Sequence, residues 1–285
     1  MPCKLGRLGD ADKPLLLFPK MKNEYEARLI IPDVHHKVVA VDRIRRSHPG
    51  IPAIFLGDYF DDFYDTAADM EVTCRWLKQA IENDQDTFLL GNHCFAYLSY
   101  ELGVRWGYCS GWDLSKQQIF HRHFPGDTLL KSSTWVAQCQ GWVISHAGIT
   151  RKVYRSFAKH NSSRQLAQNG PAVAARVPDT VLAARRALCA FEELAEWVGN
   201  AERALTMGIT HPAFLAGVDR GGPARAGGIL WCDWNTFEPV KGMRQIVGHT
   251  PADEVRYNRG DVCLDTHLHH YGFLKDGGLT IMKTE

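Results

Sequence analysis

Short apolar runs punctuate this chain, and each stops abruptly at a polar cluster. Arg28-Leu29-Ile30-Ile31 gives way to Pro32-Asp33-Val34-His35, Pro52-Ala53-Ile54-Phe55-Leu56 to Gly57-Asp58, and Thr87-Phe88-Leu89-Leu90 to Gly91-Asn92-His93. Farther along, Trp142-Val143-Ile144-Ser145 ends at His146-Ala147-Gly148, Gln245-Ile246-Val247 at Gly248-His249-Thr250, and Val262-Cys263-Leu264 at Asp265-Thr266. Runs of this length bounded by turn-forming residues predict buried strands. Between the first three, 38–48 and 66–83 carry helical spacing; in the second, Met70, Trp76, Leu77 and Ile81 share a face. Strands alternating with helices predict an α/β layered fold. In such folds ligands bind beyond the carboxyl ends of the strands, where these polar clusters fall.

Residues 151–228 break the pattern. They are rich in Ala and Arg and poor in β-branched runs. Asp179 and Thr180 can cap a helix carrying Val181, Ala184, Leu188, Phe191, Leu194 and Val198. The expectation is one catalytic-size domain over 26–285 with a helical insertion at 151–228. Pro212 and the glycine-rich 219–228 then lead into a predicted strand, Ile229-Leu230-Trp231. Residues 105–135 predict no more than mixed loop and helix.

Composition narrows the class. The chain has 285 residues, 45% hydrophobic, enough for one large core. Its 33 basic and 32 acidic residues leave a net charge of +1, so nothing argues for nucleic acid or an acidic membrane as a partner. No stretch approaches the roughly 20 apolar residues of a membrane span. Eight cysteines form no C-x-x-C pair, which disfavours a cysteine zinc site. The start shows no basic-apolar-small pattern, so a reduced, cytoplasmic protein is expected.

The candidate chemistry starts at Ile54-Phe55-Leu56-Gly57-Asp58-Tyr59-Phe60-Asp61-Asp62. Three carboxylates crowd the end of an apolar strand, where like charges repel and desolvation costs most. Alone, Asp58 and Asp61 would read as turn or cap residues. The other strand ends change that: Asp33, His35, Asp58, Asn92, His146 and His249 are oxygen and imidazole donors with no thiolate among them. Such a set suits manganese, iron, zinc, nickel or cobalt better than soft copper. Two cations sharing Asp58 would account for the crowding.

The ordered blocks D-x-H at 33, G-D-x-x-D at 57, G-N-H at 91, H-A-G at 146 and G-H at 248 resemble the calcineurin-like metallophosphoesterases. Ser145-His146-Ala147-Gly148-Ile149, Ile229-Leu230-Trp231, Val247–Pro251 and Leu264-Asp265-Thr266 look like its phosphoprotein-phosphatase branch, which includes bacterial and phage-type phosphatases and dinucleoside polyphosphate hydrolases. The resemblance implies two packed mixed β-sheets flanked by helices, a four-layer sandwich. It implies two divalent ions, manganese foremost, and a bridging hydroxide that attacks phosphorus directly. Asp33 and His35 match ligands of one metal, Asp58 the bridge, and Asn92, His146 and His249 ligands of the other. His93 matches the histidine that protonates the leaving group or stabilises charge there, and Asp61 the aspartate that orients it.

The departures concern substrate. Asp62 stands where that branch places a phosphate-clamping arginine. Cys94 replaces a glutamate, and His36 and His267 replace glycines. Thr250-Pro251 follows Gly248-His249, without the second histidine common in diester-cleaving relatives. Arg220 is the expected substitute clamp, with Arg225, Lys241 and Arg244 as alternatives. The expected substrate is a phosphorylated small molecule, nucleotide or protein. The alternative is a phosphodiesterase or nucleotide pyrophosphatase acting on cyclic nucleotides or dinucleoside polyphosphates. A non-catalytic scaffold is disfavoured, because every metal position is filled and both His93 and Asp61 are present.

Overall fold

The structure, a computed structural model, describes residues 26–104, 109–155, 194, 197–205, 207, 211–222, 224 and 227–285. Two five-stranded mixed sheets form its centre. The first orders its strands β10-β9-β1-β2-β3, from β1 (Arg28–Ile31), β2 (Ala53–Phe55), β3 (Thr87–Phe88), β9 (His270–Lys275) and β10 (Gly278–Lys283). The second runs β4-β5-β6-β8-β7, from β4 (Val136–Cys139), β5 (Trp142–Ser145), β6 (Gln245–Val247), β7 (Arg256–Asn258) and β8 (Asp261–Cys263). β1, β2 and β3 are parallel, as are β5, β6 and β8. Their carboxyl ends therefore gather on one side of each sheet.

Alternation along the strands decides what each face meets. Ile30 pairs with Ile54, and both join Leu56, Leu89, Ile144, Ile246, Val262 and Leu264 in one apolar cluster between the two sheets. Their neighbours Leu29, Ile31 and Phe55 point the other way, into a cluster with Val41, Ile44, Met70 and Leu77. Those four come from α1 (Val38–Ser47) and α2 (Ala67–Ile81), which cover the first sheet. Thr66 starts α2 with a reciprocal capping box: its hydroxyl accepts from the Asp69 amide at 3.3 Å, and the Asp69 carboxylate accepts from the Thr66 amide at 2.8 Å. α3 (Asn92–Glu101), α4 (Leu114–His123) and α5 (Thr128–Lys131) follow β3.

One expected strand is absent. Ile229-Leu230-Trp231 is a turn, not a ladder, with Ile229 and Leu230 buried and Trp231 partly so. Its bonds go elsewhere than to a strand: Ile229 donates to Ala213 O, as Gly228 before it does to Leu215 O, Trp231 donates back to Gly228 O, and Ile229 O accepts from Ala147. The glycines make this possible, since a Cβ on Gly227 would collide with Trp231 O and one on Gly228 with Ala213 O. Most of the insertion, including Arg225 and the start of the helix expected at 179–198, lies outside the described residues. Residues 197–205 are helical and bury Trp197, Val198, Ala201 and Leu205. Among the described residues no helix is long and apolar enough to cross a membrane.

Candidate metal centre

Six donor side chains converge where the two sheets present their carboxyl ends. Asp33 and His35 follow β1, Asp58 follows β2, and Asn92 opens α3 just after β3. His146 follows β5 and His249 follows β6, so the second sheet contributes two donors to the first sheet's four. The backbone turns sharply to aim them. His35, Asp58 and His249 have φ of 40°, 41° and 70°, and Asp61 has 63°. Positive φ is uncommon outside glycine and concentrates where function over-determines the backbone. Two motif glycines have a direct steric reason. A Cβ on Gly91 would strike the Asp58 carboxylate, and one on Gly248 would strike Asp33 Oδ1.

Two donor groups share Asp58: Asp33, His35 and Asp58 form one, and Asp58, His146 and His249 the other. A single oxygen, Asp58 Oδ2, lies 4.0 Å from His35 Nε2 and 3.3 Å from His146 Nε2. Asn92 Oδ1 joins the second group, 2.9 Å from His146 Nε2 and 2.8 Å from His249 Nδ1, and those two nitrogens are 3.1 Å apart. Asp33 is tied in through Oδ2, which accepts from the His249 amide at 2.8 Å. Asp58 Oδ1 accepts from the His93 amide at 2.9 Å.

Outer contacts fix the tautomers. His146 Nδ1 faces Leu56 O at 3.0 Å, and His35 Nδ1 faces Asp61 O at 2.5 Å. A carbonyl can only accept, so each Nδ1 carries the proton and each neutral ring offers a bare Nε2 to the cluster. Asn92 is oriented likewise: Nδ2 donates to Cys109 Sγ at 3.4 Å and the Cys109 thiol donates to Asn92 O at 3.0 Å. Oδ1 is thereby left facing the histidines. Buried Asp33 Oδ1 has no hydrogen-bond partner. Lone pairs thus meet with too few protons among them, which is the arrangement a divalent cation resolves. The residues fit divalent metal.

Without a cation, protons take its place. Burial pushes the His146 imidazolium down, but Asp58 and Asp33 outweigh it and hold its pKa up at about 9. Burial and the nearby charges of His146 and Arg220 push His249 well down. Burial and Asp265 push Asp33 well up, whereas His146, His93 and His35 overcome burial and hold Asp58 down.

His93 stands beside the cluster, its ring edge-on to His35 with centroids 5.3 Å apart. Its Nδ1 is 2.9 Å from Asp61 Oδ2, leaving Nε2 as the outward nitrogen. Burial opposes the charged form, but Asp58 and Asp61 raise its pKa. Those two carboxylates thereby favour the protonated ring.

Arg220 reaches the same region from the 218–220 turn. It is clamped by Asp233, with Nε 3.0–3.1 Å from both carboxylate oxygens and one terminal nitrogen 2.6 Å from Oδ1. That bond and the charges of Asp233 and Asp58 raise its pKa against burial. Arg244 is engaged elsewhere, with its guanidinium 4.5 Å over the Trp142 ring. Asp62 lies at the rim, 42% exposed and 3.3 Å from Lys37 Nζ.

Several members of the site escaped sequence reasoning. Cys109, Tyr97, Lys116 and Asp233 hold the predicted residues in place, yet none lies in a recognisable block. For Lys116 the one available signal is its position: a cation in the first turn of a helix capped by Asp113 opposes the helix dipole.

No family model matches this chain, and no curated protein does. Among solved structures, it is similar to a protein serine/threonine phosphatase from Saccharomyces cerevisiae with similarity to human phosphatase PP5, at 13% identity over 92% of this chain and 80% of that one, with a TM-score of 0.45. It is also similar to TT1561 of Thermus thermophilus, at 12% identity over 92% of this chain and 100% of that one, with a TM-score of 0.37.

Proposed function

We propose that this chain is a dinuclear-metal phosphoesterase of the calcineurin-like superfamily. One observation carries the reading: the same carboxylate oxygen of Asp58 faces an imidazole Nε2 of each donor group, His35 on one side and His146 on the other. Asp33, His35 and Asp58 would hold one cation, and Asp58, Asn92, His146 and His249 the other. Bound there, two divalent ions supply a water acidified to near neutrality and neutralise charge on phosphoryl oxygens. Manganese suits the mixed oxygen and imidazole set, as do iron, zinc, nickel and cobalt.

The chain's own residues do the rest. His93, held through Nδ1 by Asp61, donates the Nε2 proton to the departing oxygen as the phosphorus–oxygen bond breaks. Arg220, pinned by Asp233, offers its remaining N–H groups to the phosphate, in place of the arginine that Asp62 displaces. No side chain needs to form a covalent intermediate.

The substrate is a phosphate ester of a small molecule, nucleotide or protein. A diester or pyrophosphate reading draws support from the rim, where an acidic Asp62 paired with Lys37 replaces the usual clamp for a dianionic monoester. Hydrolysis of p-nitrophenyl phosphate and bis-p-nitrophenyl phosphate with added manganese tests both. Preference for the first supports a phosphatase, and preference for the second a phosphodiesterase. Silence on both, in protein that binds manganese, contradicts the enzyme reading.

A further inference from the structure

Outside the donor cluster, Lys116 is a densely bonded buried cation. It sits in the first turn of α4 with its side chain 4% exposed. Its Nζ lies 2.8 and 2.7 Å from the two oxygens of Asp65, 2.6 Å from Gly111 O and 3.2 Å from Asp61 Oδ1. A buried ammonium is costly unless compensated, and this one has two carboxylates and a carbonyl. A cation at that helix position also works against the dipole, so helix stability is no reason for it.

What Lys116 touches suggests a purpose. Asp61 Oδ1 receives both Lys116 and the Tyr97 hydroxyl, the latter at 2.6 Å, and Oδ2 is left for His93. Asp65 is fixed in turn by His36, whose Nε2 is 2.9 Å from Asp65 Oδ2 and whose Nδ1 is 2.8 Å from Thr73 Oγ1. The loop ahead of α4 can close over Asp61 because Gly111 has φ of 93° and a Cβ there would come within 2.9 Å of Asp61 Cβ. Asp61 itself is 1% exposed at φ 63°, and water cannot hold its carboxylate in place.

We propose that Lys116 and Tyr97 are positioning residues: together they clamp one oxygen of Asp61 so that the other holds His93 in the orientation from which it protonates the leaving group. This rests on the phosphoesterase reading for its catalytic consequence, but not for the clamp itself. A lysine that merely pins α4 to the 61–65 loop would affect all substrates alike. A clamp on the proton donor affects only those whose leaving group needs a proton.

The test uses the full-length protein with Tyr97→Phe and Lys116→Gln. Tyr97→Phe keeps the ring, which stacks 5.4 Å from Phe120, and removes only the hydroxyl. It therefore decides the matter if Lys116→Gln fails to fold. With manganese bound, kcat for an alkyl phosphate should fall about 10- to 100-fold in each variant at unchanged KM. For 2,4-dinitrophenyl phosphate, whose leaving group departs unprotonated, kcat should stay within about twofold. In metal-free protein, the low-field ¹H–¹⁵N signal of the His93 Nδ1–H bonded to Asp61 should be present in the wild type and broadened or lost in both variants. Equal losses on the two esters, or an unchanged imidazole signal, would overturn the proposal. If the wild type cleaves neither ester, the phosphoesterase reading fails, and the imidazole signal alone upholds or overturns the clamp.

Discussion

The donor cluster and the substrate rim lie side by side and are built on opposite principles. In the cluster, Asp33, Asp58, Asn92, His146 and His249 are all buried, on backbone that in places turns through positive φ, with His146 Nδ1 tied to a carbonyl, Asp33 Oδ2 to an amide and Asn92 Nδ2 to a thiol. Nothing there can move without losing several bonds. At the rim, Asp62 and Lys37 make one half-exposed ion pair, and Phe63 and Tyr64 are almost fully exposed. A metal site needs fixed geometry, whereas a surface that meets a variable organic group needs little of it. The cluster therefore carries the proposed reaction class, and the rim leaves the substrate open.

That contrast can be broken most severely at Asp58. Asp58→Asn removes the shared charge, and hydrolysis of either p-nitrophenyl ester should fall to background; appreciable turnover by the variant would show that no bridging carboxylate is needed. His93→Ala should spare metal content but reduce kcat by about 10²–10⁴-fold on esters with poor leaving groups. Loss of metal in that variant would place His93 among the ligands instead. Arg220→Met should act between cluster and rim, raising KM by about 10- to 100-fold, as expected for one lost charge-assisted bond to phosphate. An unchanged KM would free Arg220 of any role in substrate binding.

Milder effects should follow from pH and from the rim itself. In metal-free protein His146 has a pKa of about 9, above its ordinary 6.5. A raised folded-state value means this contribution to stability is fully present below about pH 6.5 and is lost as pH rises through about 9. The melting temperature of chelator-treated protein should therefore decline across that interval, and manganese should abolish the decline. A flat profile without metal would contradict the protonated cluster. Smallest of all, Asp62→Asn breaks an exposed pair and should change stability by no more than about 0.5 kcal/mol in urea melts.

How much of this was legible in the sequence follows the same division. Strand-end donors announce themselves only as a set: one polar residue closing an apolar run reads as a turn or cap, whereas oxygen and imidazole donors at five strand ends in one chain do not. The hairpins at Gln140-Gly141, Arg259-Gly260 and Asp276-Gly277 went unpredicted, although in each both residues have positive φ and a glycine marks the turn. The Ile229-Leu230-Trp231 strand was wrongly expected, because a buried apolar triplet reads the same whether its amides serve a ladder or a turn. Lys116, Tyr97 and Cys109 stayed hidden for a different reason. Their roles exist only through contacts 17 to 55 positions away in the chain, and no local pattern encodes such a contact.

The central claim is that one aspartate joins two cation sites, and metal stoichiometry addresses it most directly. Elemental analysis of protein loaded with manganese and then desalted should find two ions per wild-type chain and few or none in Asp58→Asn. A wild-type chain that retains no ion, or an Asp58→Asn protein that keeps two, would contradict it.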